Sequence, residues 1–177
     1  MEKILAYTDG SAVASGNLKG NGGFGTYFPD LFGKKKAYSK GYLNTKTGRM
    51  EQMALLYAIK AIPKDLKCEL IVRSDSQYVV KTFTENRLQR WILNDWQSYG
   101  KEIANVDLWK RIVKEIECRK LMTLTMIWIK AHQLDKEKNT VAKAYLMKDS
   151  HIVGNSIADI LADHKRHINK VETDKEQ

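Results

Sequence analysis

Only two cysteines occur in these 177 residues. Cys68 and Cys118 each sit beside apolar, strand-like or helix-like residues and share no metal-ligand spacing. That excludes a disulfide framework or a zinc site and leaves two buried free thiols as the expectation. Long apolar runs are missing as well: no stretch approaches the roughly 18 residues a membrane-spanning helix needs. The N-terminal MEKILAYTDG lacks the charged and apolar regions of a signal peptide. A soluble, non-exported, cytoplasmic protein with no membrane partner is expected. Acidic residues are outnumbered, 21 against 30 lysines and arginines, for a net charge of +9. A basic surface attracts polyanions by releasing their condensed counterions, although a solvated basic face would account for the same count. Internal repeats and low-complexity linkers are absent too. The length and the 43% hydrophobic content fit one domain, placed at residues 1–168. The tail 169–177, ending VETDKEQ, is expected to fray for want of apolar side chains.

What is present organises into strands and helices. KILAYT (3–8) reads as a buried strand running to Asp9-Gly10, GGFGTYF (22–28) as a second and KKAYSKGYL (35–43) as a third, linked closely enough for an antiparallel meander. Met50, Met53, Ala54, Tyr57, Ala58, Ala61 and Ile62 mark one helix face before Pro63. ELIVRS is a strand ending at Asp75, 77–99 a helix carrying Trp91 and Trp96, 106–120 an amphipathic helix, and LTMIWIKAH (124–132) the fifth strand. A last helix is expected after Gly154, with Asn155 as N-cap and Ile157, Ile160, Leu161 and Ile168 on its apolar face. This order predicts an α/β fold: a five-stranded mixed sheet, three strands antiparallel and strands one, four and five parallel, with helices on both faces.

Asp9 and Asp75 then fall at the carboxyl ends of neighbouring parallel strands, where open sheets form their ligand crevice. Glu51 can reach it from the first turn of its helix, and Asp159 from an early position on the last. Singly, each acid reads as a turn residue, a cap or a surface charge. As a set of four they repel one another, and divalent cations resolve the conflict, since carboxylate oxygens are the ligands Mg²⁺ and Mn²⁺ prefer. Two such ions can activate a water on one side of a phosphodiester and stabilise the leaving oxygen on the other.

TDGSA (8–12), GRMEQMALLYAI (48–59), SDSQYV (74–79), WIKAH (128–132) and GNSIADILA (154–162) resemble, in order and spacing, the successive motifs of type 1 ribonuclease H. The resemblance spans residues 3 to about 166. It implies the ribonuclease H-like fold and an endonuclease that hydrolyses the RNA strand of RNA–DNA hybrids, leaving 5′-phosphate and 3′-hydroxyl ends. It implies Mg²⁺, with Mn²⁺ as a substitute, as two ions on Asp9, Glu51, Asp75 and Asp159, and no organic cofactor. A monomer is expected.

The resemblance also implies substrate contacts. Asn17 and Gln77 match positions used at the hybrid's minor groove, where a ribonuclease senses the 2′-hydroxyl; they read equally as a turn asparagine and a helix N-terminal glutamine. Asn94 matches a residue that helps hold the DNA-strand phosphate. Trp96 reads as a second contact or as core. His132 matches a histidine that assists proton transfer or product release, with His151 the alternative. Three departures stand out. Thr47-Gly48 replaces a pair of amide residues. A short QSYGKEIAN stands where many relatives carry a lysine-rich protrusion. The segment between His132 and Gly154 is long and holds Lys136, Lys138, Lys143 and Lys148, which are either replacement phosphate contacts or a solvated excursion.

Three other functions compete. A binding module without catalysis would lack an acid, and none is missing. A related DNA nuclease or strand-transfer enzyme shares the fold, but the Asn17 and Gln77 matches favour RNA. Nucleotide binding through GNGGFG fails because those glycines lead into a strand instead of opening a helix.

Overall fold

The computed structural model describes residues 1–13, 19–167 and 170–171. Strands β1 (Glu2–Ala12), β2 (Gly20–Leu31) and β3 (Lys34–Thr45) form the expected meander, followed by α1 (Thr47–Lys60) and β4 (Cys68–Ser74). Next come α2 (Gln77–Thr84), α3 (Arg87–Leu93), a small hairpin of β5 (Gln97–Ser98) and β6 (Lys101–Glu102), α4 (Val106–Glu117) and β7 (Met122–Trp128). The chain ends in α5 (Gln133–Lys136), α6 (Thr140–Leu146), α7 (Ser150–His167) and β8 (Lys170–Val171). The main sheet runs β7-β4-β1-β2-β3-β8. β1 pairs in parallel with β4, and β4 with β7, so the five expected strands hold their expected directions. Of the tail 169–177 only Lys170 and Val171 are described, and they pair in parallel with Gly41 and Tyr42.

Alternation along the strands assigns the two faces of the sheet. Phe24, Thr26 and Phe28 face α1: Phe24 packs on Tyr57, and the Thr26 hydroxyl donates to the Ala54 carbonyl at 2.8 Å. Tyr27 and Gly25 face α7, where Tyr27 stacks on Tyr7 and a Cβ on Gly25 would lie 2.2 Å from the Ala158 carbonyl oxygen. α1 is buried nearly all round, through Met50, Met53, Ala54, Leu55, Leu56, Ala58 and Ile59. An aromatic cluster of Tyr78, Trp91 and Trp109 joins α2, α3 and α4.

Several expectations are corrected. The helix expected over 77–99 breaks at Asn86, whose φ of 54° lies in the left-handed region that asparagine tolerates better than most residues. α7 starts at Ser150, because the Asp149 carboxylate accepts hydrogen bonds from the His151 and Ile152 amides and caps the helix there. Asn155 is therefore buried mid-helix and is no cap. Nor do the expected residues form the buried face of α7: Ile160 is exposed, and Ala158 and Ala162 are buried where the helix lies so close to Gly25 of β2 that little more than a methyl group fits. Of the two thiols only Cys68 is buried; Cys118 is exposed at the end of α4. Ile168 lies outside the described residues. Among those residues no helix is long and apolar enough to cross a membrane.

Candidate functional site

Parallel pairing of β1 with β4 aligns Tyr7 with Arg73 and Thr8 with Ser74, so one step further Asp9 comes beside Asp75. Asp9 lies inside β1, opposite Gly25 of β2, and does not close the strand as its turn-like TDGS context suggested. Glu51 arrives from the α1 side. Its approach depends on Gly10, where a Cβ would stand 2.1 Å from the Glu51 backbone nitrogen and 2.4 Å from the Met50 carbonyl carbon. Because α1 begins at Thr47, Glu51 sits one turn into the helix, not in its first turn. Asp159 arrives from the middle of α7, because that helix starts earlier than expected.

The acids act on one another. Burial raises the Asp9 carboxyl well above its ordinary range, repulsion from Asp75 and Asp159 adds to the rise, and a hydrogen bond shared with Asp159 favours its protonated form. The Gly10 amide, donating to Asp9 Oδ1 at 2.7 Å, works in the opposite direction. Burial also raises Glu51, chiefly against a hydrogen bond from Ser76, and Asp75 repels it further. Asp75 is raised by burial, while a hydrogen bond from Asn155 and the neighbouring His132 pull it down.

Three partners of these acids escaped the sequence reading. The Ser76 hydroxyl donates to Glu51 Oε2 at 2.6 Å and accepts from the Val79 amide at 3.3 Å, so one side chain both caps α2 and orients a site carboxylate. The small N-cap after a strand is a readable signal; its link to Glu51 is not, because it joins residues far apart in sequence. Asn155, buried in α7, serves Asp75. Trp128 donates from its indole nitrogen to the Asp75 carbonyl at 3.1 Å, tying the end of β7 to the crevice.

The two histidines separate cleanly. His132 Nδ1 lies 3.1 Å from Asp159 Oδ2. His151 Nδ1 instead bonds the hydroxyl of buried Tyr7 at 2.7 Å, on the inner side of α7. Gln77 is exposed as the first residue of α2, two positions beyond Asp75, and borders a cavity of about 580 Å³ with Val80, Met126 and Trp128. Asn94 caps α3, donates to the Gln97 carbonyl at 2.9 Å and borders a second cavity, about 640 Å³, with Arg87, Arg90 and Tyr99. Trp96 is half-buried against the core, with Lys110 Nζ 5.8 Å above its ring. Asn17 lies outside the described residues.

The donor set is all carboxylate oxygen with an imidazole at its edge, which suits a hard divalent cation in kind. Asp75 and Asp159 both repel Asp9, a repulsion that a cation among them would relieve. Among the described residues no three His, Cys, Asp or Glu side chains already converge as a set that would hold a metal ion.

The RNase H family model matches residues 1–167. The ribonuclease H of Lachnoclostridium phytofermentans is 40% identical over 135 residues, covering 73% of this chain and 81% of its own. Among solved structures, LC9-RNase H1, a type 1 RNase H with the type 2 active-site motif, is similar with a TM-score of 0.71 at 18% identity, over 98% of this chain and 79% of its own. A foamy viral protease-reverse transcriptase in complex with an RNA/DNA hybrid reaches 0.68 at 20% identity, over 93% of this chain and 20% of that longer one. At such identities the structural likeness speaks for the fold.

Proposed function

This chain belongs to the ribonuclease H family and is an endoribonuclease, and on that premise we propose that it cuts the RNA strand of RNA–DNA hybrids, leaving 5′-phosphate and 3′-hydroxyl ends. Mg²⁺, or Mn²⁺ in its place, is the cofactor of this reading, as two ions with substrate bound. The observation that carries it is the mutual repulsion of Asp9, Asp75 and Asp159 in a buried crevice, a cost that divalent charge would turn into binding. Asp9, Glu51, Asp75 and Asp159 would hold the ions. When bound, they would supply an activated water and charge stabilisation at the leaving oxygen.

The rest falls to the chain itself. Ser76 and Asn155 keep the Glu51 and Asp75 carboxylates turned into the crevice, so that less side-chain freedom is lost when substrate arrives. His132, held against Asp159, takes or returns a proton at its imidazole beside the reacting phosphate. Gln77, exposed on the rim two residues after Asp75, offers an amide to a 2′-hydroxyl in the minor groove; Asn17 is its partner in this reading. Asn94 and Trp96, on the α3–β5 corner, take the DNA strand. The proposal has the enzyme working as a cytoplasmic monomer on residues 1–168.

Labelled RNA–DNA hybrid, double-stranded RNA and double-stranded DNA, each incubated with the protein in Mg²⁺ and then in chelator, test this directly. Metal-dependent cutting confined to the RNA of the hybrid is expected. Cutting of DNA, or persistence of cutting in chelator, would overturn the reading.

A further inference from the structure

The chain between His132 and His151 is tied down at both ends beside the carboxylates and stands away from the body between them. At its entry His132 Nδ1 meets Asp159. At its exit Asp149 caps α7 and His151 bonds Tyr7, which lies on the same strand and face as Asp9. α5 packs on α7, whereas α6 packs chiefly on α5, and no part of the sheet covers it to a similar extent. Lys136, Lys138, Lys143 and Lys148 are all exposed, and among the described residues none of the four enters an ion pair. The segment also carries Asp135, Glu137 and Asp149, but Glu137 is engaged by the Asn139 amide at 2.7 Å and Asp149 by the α7 cap.

The hairpin at the opposite corner is itself poor in positive charge, although Arg87 and Arg90 of α3 lie beside it, with Arg87 paired to Glu85. Residues 94–105 hold one lysine, Lys101, against Asp95 and Glu102, and carry the fully exposed ring of Tyr99 midway. A seven-residue helix is too short to be stable by itself in water, so α6 relies on its Asn139 cap, whose side-chain oxygen accepts from the Val141 and Ala142 amides, and gains most from an external surface.

We propose that residues 136–148 form a basic wing that grips the phosphate backbone of the hybrid next to the crevice, replacing a basic protrusion that the β5–β6 hairpin does not provide. The partner follows from the reading above and deepens it. Any hybrid seated over Asp9 and Asp159 passes the root of this segment, and phosphate is the one polyanion already required at that place. α6 carries Lys143, and Lys138 and Lys148 flank it; at 1.5 Å per residue the helix spans roughly 10 Å, so the three lysines stretch over a length comparable to about three successive phosphates of one strand.

The test uses the full chain with Lys136→Gln, Lys138→Gln, Lys143→Gln and Lys148→Gln combined, and a second protein in which the same four become arginine. Hybrid affinity is measured against salt, and single-turnover cleavage at saturating hybrid. Glutamine should flatten the slope of log affinity against log salt by about 2 to 3, since each lost phosphate contact removes about 0.9, and should weaken low-salt binding at least tenfold. The saturated cleavage rate should stay within twofold, and arginine should restore both slope and affinity. An unchanged slope in the glutamine protein overturns the wing. So does a loss that arginine fails to restore, which would mark a structural effect. Failure of the unmodified chain to cut hybrid at all refutes the functional reading instead, and the slope of binding still decides the wing.

Discussion

Replacing Gly10 by alanine should damage stability and catalysis together, for a reason measurable in ångströms. The new Cβ would stand 2.1 Å from the Glu51 nitrogen, 2.4 Å from the Met50 carbonyl carbon and 2.8 Å from the Glu51 Cα. All three are helix backbone, so no rotamer change relieves the contact. To reach the 3.4 Å at which ordinary van der Waals contact begins, α1 must retreat from β1 by about 1.3 Å. Overpacking of this kind costs up to about 3 kcal/mol, and here it also loosens Met50 and Met53 in the core. The same retreat carries Glu51 away from Asp75, and a displacement of about 1 Å at a reacting centre can lower the rate roughly 100-fold. Urea unfolding and single-turnover cleavage of hybrid measure the two losses. Gly33→Ala is the control: it has a φ of 81° and nothing within 4 Å of its Cβ, so it should lose about 1 kcal/mol and no activity. Wild-type cleavage by Gly10→Ala would refute the claim that this close approach places Glu51, and wild-type stability would refute the clash itself.

Asp9→Asn should abolish cutting yet stabilise the metal-free fold at neutral pH. The folded Asp9 holds its proton above the ordinary value, so the folded state binds more protons than the unfolded one between those values and stability falls as pH rises through that window. Urea midpoints in chelator should therefore favour the variant at pH 7 and converge with wild type below pH 3.8, whereas a neutral-pH loss would count against the repulsion described. Asn155→Leu removes the donor to Asp75, and the Mg²⁺ concentration giving half-maximal cleavage should rise about 10-fold or more; an unaltered metal titration would leave Asn155 with a packing role only. His132→Ala should lower kcat substantially at unchanged stability. His151→Ala should do the reverse, losing about 1 to 3 kcal/mol as the buried Tyr7 hydroxyl is left with only its long bond to the Ser150 carbonyl, and a kcat effect confined to His151→Ala would reverse the assignment.

The elements legible in the sequence were those whose own residues state their environment. β1 and β4 are apolar runs, α1 shows its buried face at helical spacing, and the four acids follow from those elements through strand register and helix position. What stayed hidden depends on partners distant in sequence. α7 buries Ala158 and Ala162 because β2 is close there, and nothing in IADILADHK announces that. Asn155 resembles a cap until Asp149 is known to take that role. The break at Asn86 rests on one left-handed residue inside a helix-forming stretch. Gln52, wholly buried with neither side-chain polar atom hydrogen-bonded, has no precedent in the apolar pattern around it, and the structure offers no physical account of it.

The alternation of Tyr7, Asp9 and Gly10 along β1 sets a limit on how this gene can vary in length. Tyr7 and Asp9 look toward α7, and Gly10 looks toward α1. Insertion or deletion of a single codon upstream of Asp9 within β1 would invert that parity, turning a carboxylate into the helix backbone of α1 and presenting a bare glycine to the crevice. Changes of length between Ala12 and Gly20 leave the parity of β1 intact. Reading-frame-preserving indels within β1 should therefore be lethal to activity even where the resulting strand keeps its composition, whereas those between Ala12 and Gly20 leave the carboxylates in place.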